Sequence, residues 1–436
     1  MKITTDMRKA TNDLMTYLDK SPTAGWAAKS AEEILQNAGF KKFDEKTKWQ
    51  LQPGDKFYIN RGDSAVAAGI IGRDPLANKS GFNIIGSHTD SPGFRVKSKS
   101  IYEKENYIQL GVEIYGGPLL ASWTDRELSL AGTIVLEKDG ELQSKMWRSQ
   151  DKLLRIAQLP IHMNRKVNDE GLKLDKEKHL PPILGLAGEK EFTRDSLIEL
   201  IADDMQIEKD LIKEFDLEIY DTQKASFLGL KEEFFASGRI DNLMMSFSAI
   251  SALAELDNIP DQTAVVILFD NEEIGSRTMN GGGSPFLLNF LERIAISQGL
   301  SREDLLVAMS NSFVLSADGA HAVHPNYPDE YEKHHKVELN KGPVIKLNAM
   351  QKYASNPENT AYFKKLCAKL DIPHQIYIHR ADKPCGSTIG PITATRTGIR
   401  TMDVGPAMLS MHSVREMAGV ADTWYMIQVM KEIFNH

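Results

Sequence analysis

Seven residues of this sequence carry chemistry that the rest of the chain must place: His88, Asp90, Asp241, Glu272, Glu273, Asp318 and His412. Imidazole and carboxylate are the nitrogen and oxygen donors that Zn2+ takes at about 2.0–2.2 Å, and Mn2+ and Co2+ accept the same mixture. Two imidazoles with several carboxylates suit a pair of divalent ions, which in two-metal hydrolases sit about 3.5–4 Å apart. The adjacent acids Glu272 and Glu273 could divide the work, one holding metal and one moving a proton. Asp90, two residues past His88, fits a carboxylate that steadies a metal-bound imidazole through its other N–H. Taken singly, each has an ordinary reading. His88 could be a hydrogen-bonded loop residue, Asp241 a helix N-cap, Asp318 a turn acceptor, His412 a bystander ahead of a helix, and the two glutamates a solvated turn.

The elements that must position them are legible. Ala264-Val265-Val266-Ile267-Leu268-Phe269 is an unbroken apolar run with β-branched residues, the pattern of a strand buried on both faces. It ends in Asp270-Asn271-Glu272-Glu273, and Gly275 then turns the chain. In open α/β sheets ligands bind beyond the carboxyl ends of the strands. His88 and Asp90 follow a predicted strand at 82–85, and Asp318 ends another that starts at Phe313. Asp241 stands at the start of a helix predicted over about 242–256, and His412 lies just ahead of a last helix predicted over about 413–434. Further helices are predicted near 6–19, 26–38, 285–298 and 357–370, and strands at 65–71, 344–348, 375–378 and 399–404. Strand and helix in turn imply an α/β fold, a mostly parallel sheet with helices on both faces.

Between Phe94 and Tyr220 the texture changes. Strand-like segments at 107–114, 130–136 and 215–220, a polar stretch from Val167 to Lys178 and one helix near 195–204 read as an inserted β-rich domain. The expected division is a discontinuous catalytic domain over 1–93 and 236–436, with the insertion over 94–235.

Composition narrows the function. A net charge of -8 argues against nucleic acid or a membrane surface as partner, since both are bound by clustered Lys and Arg. The two cysteines, Cys367 and Cys385, form no disulfide framework or CxxC motif and point to a reducing compartment. The first residues carry charges without an apolar signal core, and no apolar run approaches a membrane span. A cytoplasmic protein is the expectation.

Five segments carry a family resemblance: His88-Thr89-Asp90-Ser91-Pro92, Gly238-Arg239-Ile240-Asp241-Asn242, Asp270-Asn271-Glu272-Glu273-Ile274-Gly275-Ser276, the stretch from Ser316 to Tyr327, and Met411-His412-Ser413-Val414-Arg415-Glu416. With Lys341-Gly342-Pro343-Val344-Ile345-Lys346 and Cys385-Gly386-Ser387-Thr388-Ile389-Gly390-Pro391, they resemble, in order along nearly the whole chain, the aspartyl aminopeptidases (M18 metallopeptidases). The resemblance implies a zinc-peptidase core, interrupted by a β-rich dimerisation domain and holding two divalent ions, zinc or alternatively cobalt or manganese. It implies His88, Glu273, Asp318 and His412 as ligands, Asp241 as the bridging carboxylate, and Glu272 as the general base acting on a bridging water. His162 resembles a histidine that reaches a neighbouring subunit's site, and Lys346 and His324 are candidate substrate-binding residues. Lys346, inside an apolar strand, reads either as the cation for an acidic P1 side chain or as one half of a structural ion pair. Peptides are the implied substrates, and dimers assembled into a dodecamer the implied oligomer.

Two other readings compete. A related two-metal carboxypeptidase or deacylase of the M20 type would share the ligand order, but usually carries its small domain later in the chain. A metal-stabilised scaffold without activity would leave catalytic positions empty, and here all are filled. Gly386-Ser387-Thr388-Ile389-Gly390 misses the GxSxG elbow. Arg61-Gly62-Asp63 and the sequon Asn78-Lys79-Ser80 read as chance occurrences.

Overall fold

The computed structural model describes residues 2–74, 76, 80–188 and 191–435; the sequon residues Asn78 and Lys79 lie outside them. The chain forms two compact units, one of Met1–Asp90, Ala225–Met411 and Glu416–His436, the other of Ser91–Lys224 with His412–Arg415.

The first unit is built on a nine-stranded sheet. At its centre Thr263–Phe269, Phe82–His88, Phe313–Ala317 and Arg400–Gly405 run parallel in that order. Ala65–Ile70 and Lys56–Arg61 extend one side antiparallel. On the other side Val344–Leu347 pairs antiparallel with Arg400–Gly405 and brings the parallel Gln375–Ile378.

The expected mostly parallel α/β sheet is thus present, and the reason lies in the side chains. Every residue of Thr263–Phe269 is buried, and successive ones face opposite layers. Ala264, Val266 and Leu268 join a core with the helices Thr5–Lys20, Ala24–Asn37, Ile240–Ala254 and Val420–Phe434. Val265, Ile267 and Phe269 join a second core with Phe286–Ser297 and Arg302–Ser310. Each of these Val, Ile, Leu and Phe side chains contributes about 1.5–3 kcal/mol of burial. Short side chains set the helix starts, for example Thr4 accepting from the Met7 amide and Ser301 from that of Asp304. Among the described residues no helix is long and apolar enough to cross a membrane.

Register settles which residues meet. Phe269 lies opposite His88, and Ser316 opposite Gly86. The segments after Phe269, His88 and Ala317 therefore emerge together at one sheet edge.

One expectation is corrected. The last helix does not begin near Ser413 but spans Val420–Phe434. Glu416–Gly419 is a strand, pairing with Phe234–Ser237 and Ala407–Leu409 in a smaller sheet.

The second unit is a six-stranded antiparallel sheet in the order Glu141–Arg148, Leu128–Lys138, Ile212–Asp221, Gly93–Lys104, Tyr107–Tyr115, Ile183–Leu186. Leu128, Leu130, Ile134, Leu217 and Ile219 share its core with Leu197 and Ile201 of the helix Arg194–Met205.

Candidate metal centre

The turn after Phe269 is held open by its own polar groups. Asn271 adopts a left-handed conformation (φ 61°), and its amide donates to Asp270 Oδ1 at 2.7 Å. Ser64 Oγ donates to Asp270 Oδ2 at 2.6 Å, and Thr278 Oγ1 donates to Asn271 Oδ1 at 2.8 Å. Asp270 and Asn271 thus build the turn on which Glu272 and Glu273 stand.

A short 3-10 turn, Glu272–Ile274, follows. Its first amides lack partners within the turn, and Asp90 takes both: Glu272 N donates to Oδ1 and Glu273 N to Oδ2, each at 3.1 Å. The same carboxylate lies 3.2 Å from His88 Nδ1, which also sits 3.0 Å from the Asp90 carbonyl. Both neighbours of Nδ1 are acceptors, so Nδ1 carries a proton, and Nε2 lies 3.7 Å from Asp241 Oδ1. One carboxylate therefore orients an imidazole and the backbone of two glutamates.

Asp241 lies in the first turn of Ile240–Ala254, where its own φ/ψ and those of Asn242 are not helical. Arg239, which stands before the helix, makes no side-chain cap bond. Asn242 Nδ2 donates to Ser87 Oγ and to the Ala317 carbonyl, and Ser246 Oγ donates to the His88 carbonyl at 2.6 Å. These bonds lock the helix onto the strands that deliver His88 and Asp318. Asp318 Oδ2 lies 3.5 Å from Lys346 Nζ, which donates to the Gly319 carbonyl at 3.0 Å. Lys346 is thus paired, and its partner is one of the acids of the site.

The ligand atoms of His88, Asp241 and Asp318 lie within 4.8 Å of one another, as do those of His88, Glu272 and Glu273. An imidazole nitrogen and four carboxylates converging this tightly fit a divalent cation as a donor set. Electrostatics say the same. Burial above all pushes Glu272 up to about 7, with Asp318, Asp90 and Asp241 raising it further against the opposing His88. Burial also raises Asp318, against Lys346. Burial pulls His88 down, but the hydrogen bond and charge of Asp90, with Glu272 and Asp241, hold its pKa well above the usual value.

These shifts make a prediction for the metal-free protein. The folded pKa of Glu272 lies above the ordinary 4.5, so the folded chain keeps a proton that the unfolded chain has released. Asp422, raised to about 7 by burial against the amides of Asn340 and Gly342, acts in the same direction, and so does His88. Stability should therefore fall as pH rises from about 5.5 to about 7.5. The urea midpoint of chelated protein measures this, and an equal or higher midpoint at the upper pH contradicts it.

Three predicted residues remain, each with its own setting. His412 belongs to the second unit, at φ 67°, with Nδ1 3.0 Å from the Gly117 carbonyl. His162 is exposed in the turn Pro160–Asn164 of that unit, between exposed Ile161 and Met163. In the first unit His324 Nδ1 accepts from Asn326 N at 3.1 Å, and its ring packs on Tyr327. Sequence reasoning left Ser64, Ser246 and Glu416 without a role; Glu416 stood inside a quoted motif, whereas the two serines gave no signal.

Comparison with known proteins agrees. Residues 17–434 match the family described as "Aminopeptidase I zinc metalloprotease (M18)". The chain is 41% identical over 430 residues to the "Probable M18 family aminopeptidase 2" of Clostridium novyi (strain NT), covering 98% of this chain and 99% of that one. It is 40% identical to the protein of the same name from Stutzerimonas stutzeri (strain A1501), covering 97% of each. Among solved structures, a chain of the Ape4 and Nbr1 complex superposes with a TM-score of 0.94 at 37% identity, covering 100% of this chain and 88% of that one. A chain of the S. cerevisiae mApe1 dodecamer gives 0.85 at 28% identity, covering 98% and 97%.

Proposed function

Because the chain belongs to the M18 family of zinc metalloproteases and is a metalloaminopeptidase, we propose that the cluster around His88 is its catalytic centre and releases N-terminal residues, acidic ones foremost, from peptides. The observation that carries this reading is the convergence of His88, Asp241, Asp318, Glu272 and Glu273, with Asp90 clamping three of them. His88, Asp241, Glu273, Asp318 and His412 would hold two divalent ions, zinc or alternatively cobalt or manganese. Such ions, when bound, acidify a coordinated water and polarise the scissile carbonyl.

The chain supplies the rest. Glu272, with a carboxyl near neutrality, is matched to take a proton from the attacking water and return it to the leaving amine. Asp90 fixes the backbone of Glu272 and so its reach. The acids of the cluster attract a free substrate α-amine, which limits cleavage to the N-terminus.

Lys346 has three N–H donors. Two are turned to Gly319 and Asp318 and the ammonium lies 5.1 Å over the Tyr353 ring; in this reading a P1 carboxylate would take the third, with His324 as a further substrate contact. Lys346→Met should lower kcat/KM for Asp-peptides at least tenfold more than for Leu-peptides, the scale of one charge-assisted contact of about 1.5–3 kcal/mol. Equal losses on both substrates would make Lys346 a partner of Asp318 alone.

The second unit, most of which falls in the insertion expected over 94–235, serves in this reading as the dimerisation domain. It would present His162 to a neighbouring subunit in a homo-oligomer like the mApe1 dodecamer. A cytoplasmic location fits the two free cysteines.

A further inference from the structure

The motif that ends in Glu416 holds a carboxylate to which the reaction so far assigns nothing. Glu416 is only 2% exposed. It begins the strand Glu416–Gly419, where the register sets it opposite Ser237. From there the chain passes through Arg239, at φ 61°, to Asp241, whose φ of -79° and ψ of 108° are not helical. The Asp241 amide donates to Glu416 Oε2 at 3.0 Å. On the next residue Asn242 is tied to Ser87 and Ala317. Asp241 is thereby held from two directions, by the smaller sheet and by the strands of the central one.

A buried carboxylate is costly to place, and an apolar side chain would fill the same space without that cost. A charged acceptor does, however, make an amide hydrogen bond roughly twice as strong as a neutral one. Glu416 belongs to none of the candidate ligand groups. We propose that Glu416 is a positioning residue, which acts through the Asp241 backbone to aim the Asp241 carboxylate and thereby sets the metal affinity of the site. The inference rests on Asp241 being a ligand.

The test is zinc titration of the chelated full-length protein against a competing chelator, with thermal unfolding of the metal-free form alongside. Glu416→Met, which keeps bulk but no acceptor, should weaken zinc binding about 10–100-fold, the usual effect of losing a support behind a ligand. Glu416→Gln, which keeps an acceptor oxygen, should stay within a few-fold of wild type. In an Asp241→Ala background Glu416→Met should cost no further affinity. Should Glu416→Met not fold, Glu416→Asp, which withdraws the acceptor by one methylene, replaces it, with a smaller loss expected. A lowered unfolding temperature with zinc affinity intact would overturn the proposal, as would a loss in Glu416→Gln equal to that in Glu416→Met, or a further loss on top of Asp241→Ala. Wild-type zinc binding by Asp241→Ala would refute the ligand reading itself, a result separate from the behaviour of Glu416.

Discussion

Glu272→Gln is expected to reduce kcat by roughly 10²–10⁴-fold, the range for a general base, while the protein retains its metal. The substitution is nearly isosteric. It leaves the Glu272 amide bonded to Asp90 Oδ1, because that contact is made by the backbone. What it removes is a carboxylate that burial has moved to about 7, where proton uptake and return are both accessible near neutral pH. Glu272 also stands in the ligand group with His88 and Glu273, so the experiment reads metal content beside kcat. Retained metal with a large loss of turnover makes Glu272 the base. Lost metal makes it a ligand, and near-normal turnover removes it from the chemistry.

The second large effect is expected from metal removal. Dialysis against a chelator should abolish hydrolysis, and zinc, cobalt or manganese should restore it as two equivalents per chain are taken up. The same additions should raise stability, by about 2.7 kcal/mol per site when the free ion stands at 100 times its Kd. The gain follows from the electrostatics of the site. Burial raises both Glu272 and Asp318, and a divalent cation offsets that repulsion among acids. The fall in stability with rising pH should accordingly flatten in the loaded protein. Activity that survives complete metal removal would contradict the account.

How far the site could be read beforehand depended on the kind of signal. The apolar run Ala264–Phe269 announces a strand buried on both faces, and both cores use it in alternation. Acids and histidines directly after such strands could be placed at one edge without coordinates, because parallel register carries them there together. What failed was local. Glu416–Gly419 is a four-residue strand ending in glycine, too short to show a period, and the helix pattern behind it drew the boundary forward. Gly93–Lys104 and Glu141–Arg148 are rich in charged and polar side chains, and only pairing with neighbours marks them as strands. Long-range polar contacts were also hidden. Nothing in the spacing says that Asp90 would receive the amides of Glu272 and Glu273, or that the partner of Lys346 would be Asp318. Of the two readings of Lys346 drawn from sequence, the ion pair is present, to an acid of the site, and the cation for an acidic P1 side chain stands as a proposal.

The central claim is that the His88 cluster is a metal-dependent centre acting on free N-termini. It is tested most directly by giving one zinc-reconstituted preparation three substrates: a peptide with a free N-terminal Asp, the same peptide N-acetylated, and an N-acyl amino acid. The account predicts stepwise release of the N-terminal residue from the first and no hydrolysis of the other two. Efficient cleavage of the N-acyl amino acid with none of the free-amine peptide would contradict it and turn the site into that of a deacylase.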